Sequence, residues 1–299
     1  MGLLDHFRLL VEDPPPVYAF EVAAGGLAYA VRSPRRGHPP ELGFRPFSPD
    51  TLAVSPVRDN VVRPEEFAAE VKAVVRLNGR RRDAAVILPD YSARIAVLDF
   101  DSFPSAREEQ ASLVRFRMKK TVPFDLDAAA LNFHVQKTAA KKFEVVAAVA
   151  LEEIVARYEA PFRAAGFIPG FVTTSVLAAM DLMPADGLNA LAKLGGRTLT
   201  VAVCEGRGPK LVRCLELGEL SVAEVMAVVF PTFAFAEDEL GRRPSRLLAC
   251  GFGDAIGEFR SAVESDLRVS VEPLRSPLGP AEAFNAGLLG WLAAQEEGR

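Results

Sequence analysis

Residues able to do chemistry are few in this chain, and they do not converge. Asp99 and Asp101 flank Phe100 at the end of an apolar run, a spacing that turns both carboxylates to one side of a strand end. Paired carboxylates can do acid–base or metal work, but with Pro104 close by the pair reads as a solvated turn. Gly206-Arg207-Gly208-Pro209 has the small residues and the cation of a phosphate loop; set between two apolar runs, it reads as a hairpin turn that needs no ligand. His6, His38 and His134 are too scattered for a metal cluster, and no serine sits in a nucleophile elbow. Cys204, Cys214 and Cys250 are odd in number, widely spaced and mostly inside apolar runs. They read as small buried hydrophobes of a reducing compartment, not as a disulfide frame or a zinc site.

The totals exclude whole classes of function. At 299 residues the chain has room for two domains, or for one carrying an insertion. Hydrophobic residues make up 49% and charged ones 25%, the composition of a globular protein rather than a disordered one. A net charge of -4 gives no basic field for nucleic acid, and Arg80-Arg81-Arg82 reads as a solvated loop. No run approaches the ~18 apolar residues of a membrane span, and MGLLDHFRLL lacks the basic start and cleavage site of a signal peptide. Leu3, Leu4, Phe7 and Leu10 share one helical face, expected to pack on the body, with contact to a membrane surface or partner as the sharper reading.

Pro14-Pro15-Pro16 ends that first helix. VYAFEV, a turn at Ala23-Ala24-Gly25-Gly26, and LAYAVR predict a β-hairpin, with a third strand over 42–47. A helix starts at Pro64, buries Phe67, Val71, Val74 and Val75, and stops at Asn78-Gly79. Strands follow at 84–89 and 93–100. Ser105 and Glu108 form a capping-box pattern for a helix to Lys120. ALNFHV and FEVVAAVA make two strands about a charged turn at 137–142, then come a helix over 151–165, a short extended piece over 167–171 and a helix over 173–182. Gly195-Gly196 marks a domain boundary. A second glycine-turned hairpin, TLTVAVC and KLVRCLEL, opens the next segment. It continues as a helix over 221–239, a buried strand RLLACG, a helix to Leu267, a strand RVSVEPL and a closing helix over 281–295.

Two α/β halves, each opening with such a hairpin, resemble the actin-like (ribonuclease H-like) fold of actin, Hsp70 and sugar kinases. Within it, MKKTVPFDLDAAALNFHVQ (118–136), LLACGFGDAIGEF (248–259) and AFNAGLLGWLA (284–293) resemble, in that order, segments of type IV pilus assembly proteins of the PilM kind. The GspL-type cytoplasmic domain of type II secretion is a close relative in fold. The resemblance implies a first domain over 1–195 with an inserted small α/β subdomain at about 56–137. It also implies a reduced second domain over 196–299, since 218–245 leaves room for only one helix where the family has a further subdomain.

In that superfamily two phosphate hairpins grip Mg²⁺ and nucleotide, each with an Asp for the metal, which demands hard oxygen ligands, and a Gly that lets backbone amides approach the phosphates. Carried over residue by residue, the first hairpin has Glu21 where Asp is expected, Ala23 for a glycine, then Gly25 and Gly26. The second is aligned with Ala202 at the Asp and Cys204 at the glycine, while Gly251 and Gly253 keep the late glycine motif. The resemblance therefore implies a pseudo-ATPase: not an enzyme, with no cofactor expected, residual binding of ATP and Mg²⁺ being the lesser reading. It implies a cytoplasmic scaffold, peripheral to the inner membrane, that binds the N-terminal tail of a PilN-like inner-membrane protein and can self-associate. The alternative is an active actin-like ATPase or sugar-kinase-type phosphotransferase with an atypical cleft. Pro123 and Phe124, with Arg115 and Lys119 at the same helix end, are the candidate partner surface; Phe124 reads either as a core plug or as a groove wall.

Overall fold

The computed structural model describes residues 15–33, 38–75, 82–137 and 142–297. The first amphipathic segment, the stop at Asn78-Gly79, Arg80, Arg81 and the turn between ALNFHV and FEVVAAVA lie outside the described residues. The predicted hairpin is present as β1 (Tyr18–Ala23) and β2 (Gly26–Val31), extended by β3 (Glu41–Pro46). Helix α1 (Pro64–Val74) begins on its proline, with Glu65 and Glu66 at the positive end of its dipole, and leads to β4 (Asp83–Leu88). Much later in the chain β8 (Ile168–Thr174) completes the sheet, whose order is β3-β2-β1-β4-β8.

A second sheet repeats this order. Its meander is β9 (Leu188–Gly195), β10 (Thr198–Glu205) and β11 (Gly208–Glu216), followed by α5 (Val222–Leu240), β12 (Arg246–Cys250), α6 (Ile256–Asp266) and β13 (Ser270–Pro273). The order is β11-β10-β9-β12-β13, so β9 corresponds to β1, and β10 to β2. Strand β9 was missing from the predicted elements, and it moves the division of the halves from Gly195-Gly196 to before Leu188. That glycine pair forms the end of β9 and the turn into β10. As expected, one helix alone joins β11 to β12, and Ser221 caps it by accepting from the Glu224 amide.

Between β4 and β8 stands the insert: β5 (Arg94–Phe100), α2 (Arg107–Met118), β6 (Ala129–Lys137) and β7 (Phe143–Leu151), in sheet order β5-β7-β6. The expected bounds of 56–137 therefore shift. Phe67, Val71 and Val74 of α1 pack in one core with Phe20, Tyr158 and Phe162, so α1 belongs to the first half with α3 (Glu152–Ala164). Strand β7 belongs to the insert because its pairing with both β5 and β6 satisfies its backbone there. The capping box does not form: Ala106 is the N-cap of α2 and no side chain caps it.

The halves are joined by two short elements. α4 (Ser175–Ala179) follows β8 directly, and a turn of 3₁₀ helix (Met180–Leu182) replaces the rest of the predicted helix. α7 (Ala286–Glu297), five residues shorter at its start than predicted, returns from the second half to cover the first sheet, placing Leu288, Trp291 and Leu292 against Ala19, Ala28, Ala30, Ala85 and Ile87. Alanines on the sheet let the helix come close. At Gly290 a Cβ would lie 2.0 Å from the Ala178 carbonyl oxygen, so backbone meets backbone. Gly290→Ala should therefore destabilise the fold by about 3 kcal/mol or more. Gly257→Ala, on the exposed first turn of α6 with nothing within 4 Å, should gain ~0.5–1 kcal/mol. Urea unfolding of the two variants checks the contrast.

Candidate functional site

A cleft of about 650 Å³ opens where the two meanders face each other. Its walls include the β1–β2 turn (Ala23, Ala24, Gly25), the β9–β10 turn (Gly195, Gly196, Arg197) and Phe284. Its floor holds Glu21 from β1, Asp90 just after β4, Ser175 at the start of α4 and Lys193 from β9. Alternation in β1 and β9 sends these charged side chains to the junction while their neighbours enter the cores. Register makes Glu21 and Lys193 counterparts: each lies two residues before the end of the first strand of its sheet, opposite Ala28 and Thr200 respectively.

The floor holds two adjoining hydrogen-bonded sets, one around Asp90 and one around Glu21. The Lys193 ammonium donates to Asp90 Oδ2 at 3.1 Å, and Thr200 Oγ1 donates to the same oxygen at 3.0 Å. Asp90 Oδ1 accepts the Val176 amide at 2.6 Å. Glu21 Oε1 accepts the Ser175 hydroxyl, and Oε2 accepts the Leu288 amide at 2.7 Å. All four carboxylate oxygens are engaged, and Glu21, Asp90, Ser175, Lys193 and Thr200 are all buried. Such partners are what make buried charge tolerable.

Burial pushes the Glu21 carboxyl above its ordinary value, although Lys193, Ser175 and the Leu288 amide pull the other way. Burial would lower the Lys193 ammonium, but the Asp90 and Glu21 carboxylates outweigh it and hold it above its ordinary value, so the site carries a permanent cation. Burial also pushes the thiols of Cys204, Cys214 and Cys250 up to about 12, which leaves them protonated and poor as nucleophiles or metal ligands. Among the described residues no group of three or more His, Cys, Asp and Glu could hold a metal ion.

Of the residues singled out from sequence, Glu21 and Gly25 line the cleft, and Gly26 follows at the start of β2. Ala202 does not: it is buried in the middle of β10, between Val212 of β11 and Leu191 of β9. Its hairpin is the counterpart of β2–β3, so the residue facing Glu21 across the cleft is Lys193. Gly251 has φ +82° and a Cβ there would lie 2.0 Å from the Leu194 carbonyl oxygen; it lets β12 turn sharply against the end of β9. Gly253 starts a 3₁₀ turn with open space around it. Asp90, Ser175, Lys193 and Thr200 were all missed. A lone lysine inside the apolar run LNALAKLGG, just before a glycine turn, was the readable sign.

A second, larger cavity of about 780 Å³ lies between the insert and the first half. Strand β6 lines it from Ala130 to Gln136, β8 contributes Val172, Thr173 and Thr174, and the β10–β11 turn closes it with Arg207, Gly208 and Pro209. Both β6 and β8 are the last strands of their sheets, so two strand edges border the cavity. The predicted partner residues lie elsewhere on the insert. Phe124 is half-buried and packs against both the first core and the insert core, the plug reading of the two. Arg115 donates to the Leu126 carbonyl, while Pro123 and Lys119 are exposed.

Duplicated five-stranded sheets of order 3-2-1-4-5, with a cleft between their first hairpins, have solved counterparts. A chain of the PilM–PilN type IV pilus biogenesis complex superposes with a TM-score of 0.67 at 20% identity, over 94% of this chain and 99% of that one. The fold is actin-like. A Bacteroides thetaiotaomicron protein with the actin-like ATPase fold and unknown function superposes with a TM-score of 0.53 at 8% identity, over 99% of both chains. The cytoplasmic domain of EpsL, an inner-membrane component of the Vibrio cholerae type II secretion system, gives a TM-score of 0.49 at 12% identity, over 78% of this chain and 80% of that one. No family model matches the chain, and no curated protein matches it. Among the described residues no helix is long and apolar enough to cross a membrane.

The raised Glu21 carboxyl sets a pH test in this actin-like cleft. A carboxyl whose folded value exceeds the unfolded 4.5 contributes most below pH 4.5, and that contribution is lost as pH rises through the folded value. Glu21→Gln, which can still donate to Ser175 Oγ and accept from Leu288, should fold and should gain stability relative to the parent as pH rises. Urea unfolding of both at about pH 5 and pH 8 reads the difference; a difference that shrinks with pH would contradict the assignment.

Proposed function

We propose that this chain is a scaffold on the cytoplasmic side of a pilus or type II secretion platform. In this reading it binds the N-terminal tail of a PilN-like inner-membrane protein and turns over no nucleotide. The observation that carries the reading is the cavity bordered by the edges of β6 and β8. An extended peptide laid there can add a strand to either sheet, taking affinity from backbone hydrogen bonds and selectivity from the pockets between Ala130, His134, Val146, Ala148 and Leu177. Strand β6 already protects its edge locally, since the Phe133 amide donates to Asn132 Oδ1 at 2.9 Å. An incoming strand would meet that short contact and the Gln136–Pro209 hydrogen bond at the same edge.

The fold shared with a chain of the PilM–PilN complex supports this reading, as does the way the insert creates the cavity. Lys119 and Pro123, exposed at and after the end of α2, together with Arg115 and half-buried Phe124, stand as a second candidate contact for the partner, separate from the cavity. Domain assignment follows the sheets: two actin-like halves, the first carrying the insert.

The test is direct binding. A labelled synthetic tail of the PilN-like protein from the same genome should bind in fluorescence anisotropy. Ala148→Arg, which puts a charge on the cavity wall, should weaken it at least ~10-fold, about 1.4 kcal/mol. Saturating Mg-ATP, which would raise stability by ~2.7 kcal/mol at 100 times its Kd, should leave the melting temperature unchanged. Failure of the tail to bind, or an Ala148→Arg protein that binds as well as the parent, would remove the groove from the account.

A further inference from the structure

We propose that Lys193 stands in, as a fixed part of the chain, for the metal ion of an actin-like cleft, so that this cleft refuses a divalent cation and its halves stay joined without one. The inference depends neither on the groove nor on its partner, and its test reads metal rather than peptide.

Position comes first. The two halves repeat one strand order, and Glu21 and Lys193 occupy the same place in the first strand of each. An acidic residue at both places would leave the floor with an excess of negative charge that a hard divalent cation could neutralise. Here one carboxylate of that pair is an ammonium, and it lies 3.1 Å from Asp90 within the field of Glu21. The cation is therefore supplied by the chain.

Oxygen availability comes second. Mg²⁺ asks for near-octahedral oxygen ligands and gives up its waters reluctantly. Each oxygen of Glu21 and Asp90 already accepts a hydrogen bond, Asp90 Oδ2 accepts two, and Lys193 is itself buried. An entering cation would have to displace donors and sit beside a fixed positive charge. Both costs oppose it, and no group on the floor compensates.

Linkage of the halves comes third. Lys193 and Thr200 belong to the second sheet, while Asp90, Glu21, Ser175 and Val176 belong to the first half. The Asp90 carboxylate thus takes donors from both sides at once. A buried pair of this kind orients the two bodies whether or not it adds net stability.

Removing the ammonium should convert refusal into binding. With Lys193→Ala, Asp90 and Glu21 face a vacated space, and Thr200 Oγ1 becomes a third oxygen within reach. The parent protein should bind no Mn²⁺ by electron paramagnetic resonance at millimolar metal, with no change in melting temperature between Mn²⁺ and EDTA. Lys193→Ala should melt well below the parent in EDTA and recover several degrees in Mn²⁺, and adding Asp90→Asn should abolish the recovery. Should Lys193→Ala be isolated only unfolded, refolding in Mn²⁺ but not in EDTA supports the proposal; refolding in neither overturns it. Specific Mn²⁺ binding by the parent, or a folded Lys193→Ala protein indifferent to metal, would equally overturn it.

Discussion

Taking an ammonium and two carboxylates out of water costs several kcal/mol per ion, and the junction of the two halves is organised around meeting that cost. Lys193 reaches Asp90 only while the end of β9 sits beside the end of β4. Asp90 keeps its remaining oxygen satisfied only while α4 presents the Val176 amide, and Glu21 needs both Ser175 and the Leu288 amide of α7. The partners come from β9, α4 and α7, so the ions fix at once the placement of β1, β9, α4 and α7. The close approach of α7 to α4 at Gly290, and of β12 to β9 at Gly251, is the packing counterpart of that electrostatic demand. Apolar contacts fill the space between: Val176, Ala179 and Met180 of the joining segment share one core with Leu191, Ala202, Leu248 and Leu289.

The insert is held by a second, weaker tie. Lys210 of β11 meets Glu144 of β7 at 2.7 Å, both largely buried, and Gln136 of β6 donates to the Pro209 carbonyl at 3.3 Å. An insert attached to the first half through β4 and β8 thus also leans on the second half. The cavity beside it is consequently bounded by all three parts of the molecule, with the Arg207-Gly208-Pro209 turn as the far wall. Shape at that wall depends on how the halves are set, which returns the constraint to Lys193.

Much of this was readable from residue pattern, because most elements obey local rules. Alternating or apolar runs with glycine turns give β1–β2 and β10–β11, Pro64 starts α1, and Ser221 caps α5. The failures share a physical cause. LNALAKLGG is rich in the helix formers Leu, Ala and Lys and has no β-branched or aromatic residue, yet it is the central strand of the second sheet, because burial between two neighbours and two layers overrides intrinsic preference. Missing it displaced the second hairpin by one strand and put Ala202 where Lys193 belongs. The insert bounds failed differently: α1 and β4 lie between the hairpin and the insert in sequence, and only the packing of Phe67 against Phe162 shows which body they join. Asp90 and Ser175, 85 residues apart, carry no local pattern that marks them as neighbours on the cleft floor; only the closure of the sheets brings them together.

Cleft and cavity are two faces of the same short helix. Thr174, Leu177 and Met180 line the cavity, while Ser175 and Val176, offset by the turn of the helix, hold Glu21 and Asp90. A five-residue helix has too few internal hydrogen bonds to be stable alone. Its position is set on one side by the buried ions and on another by the backbone of α7. A nucleotide-driven cleft would let that helix shift whenever the metal came and went, carrying the cavity wall with it. On the proposal that Lys193 takes the metal's place, that freedom is removed, and the wall at Leu177 and Met180 would keep one shape. If the cavity receives a strand, as proposed, constancy lowers the ordering cost of binding, since a preorganised site spends less of its contact energy on arranging itself.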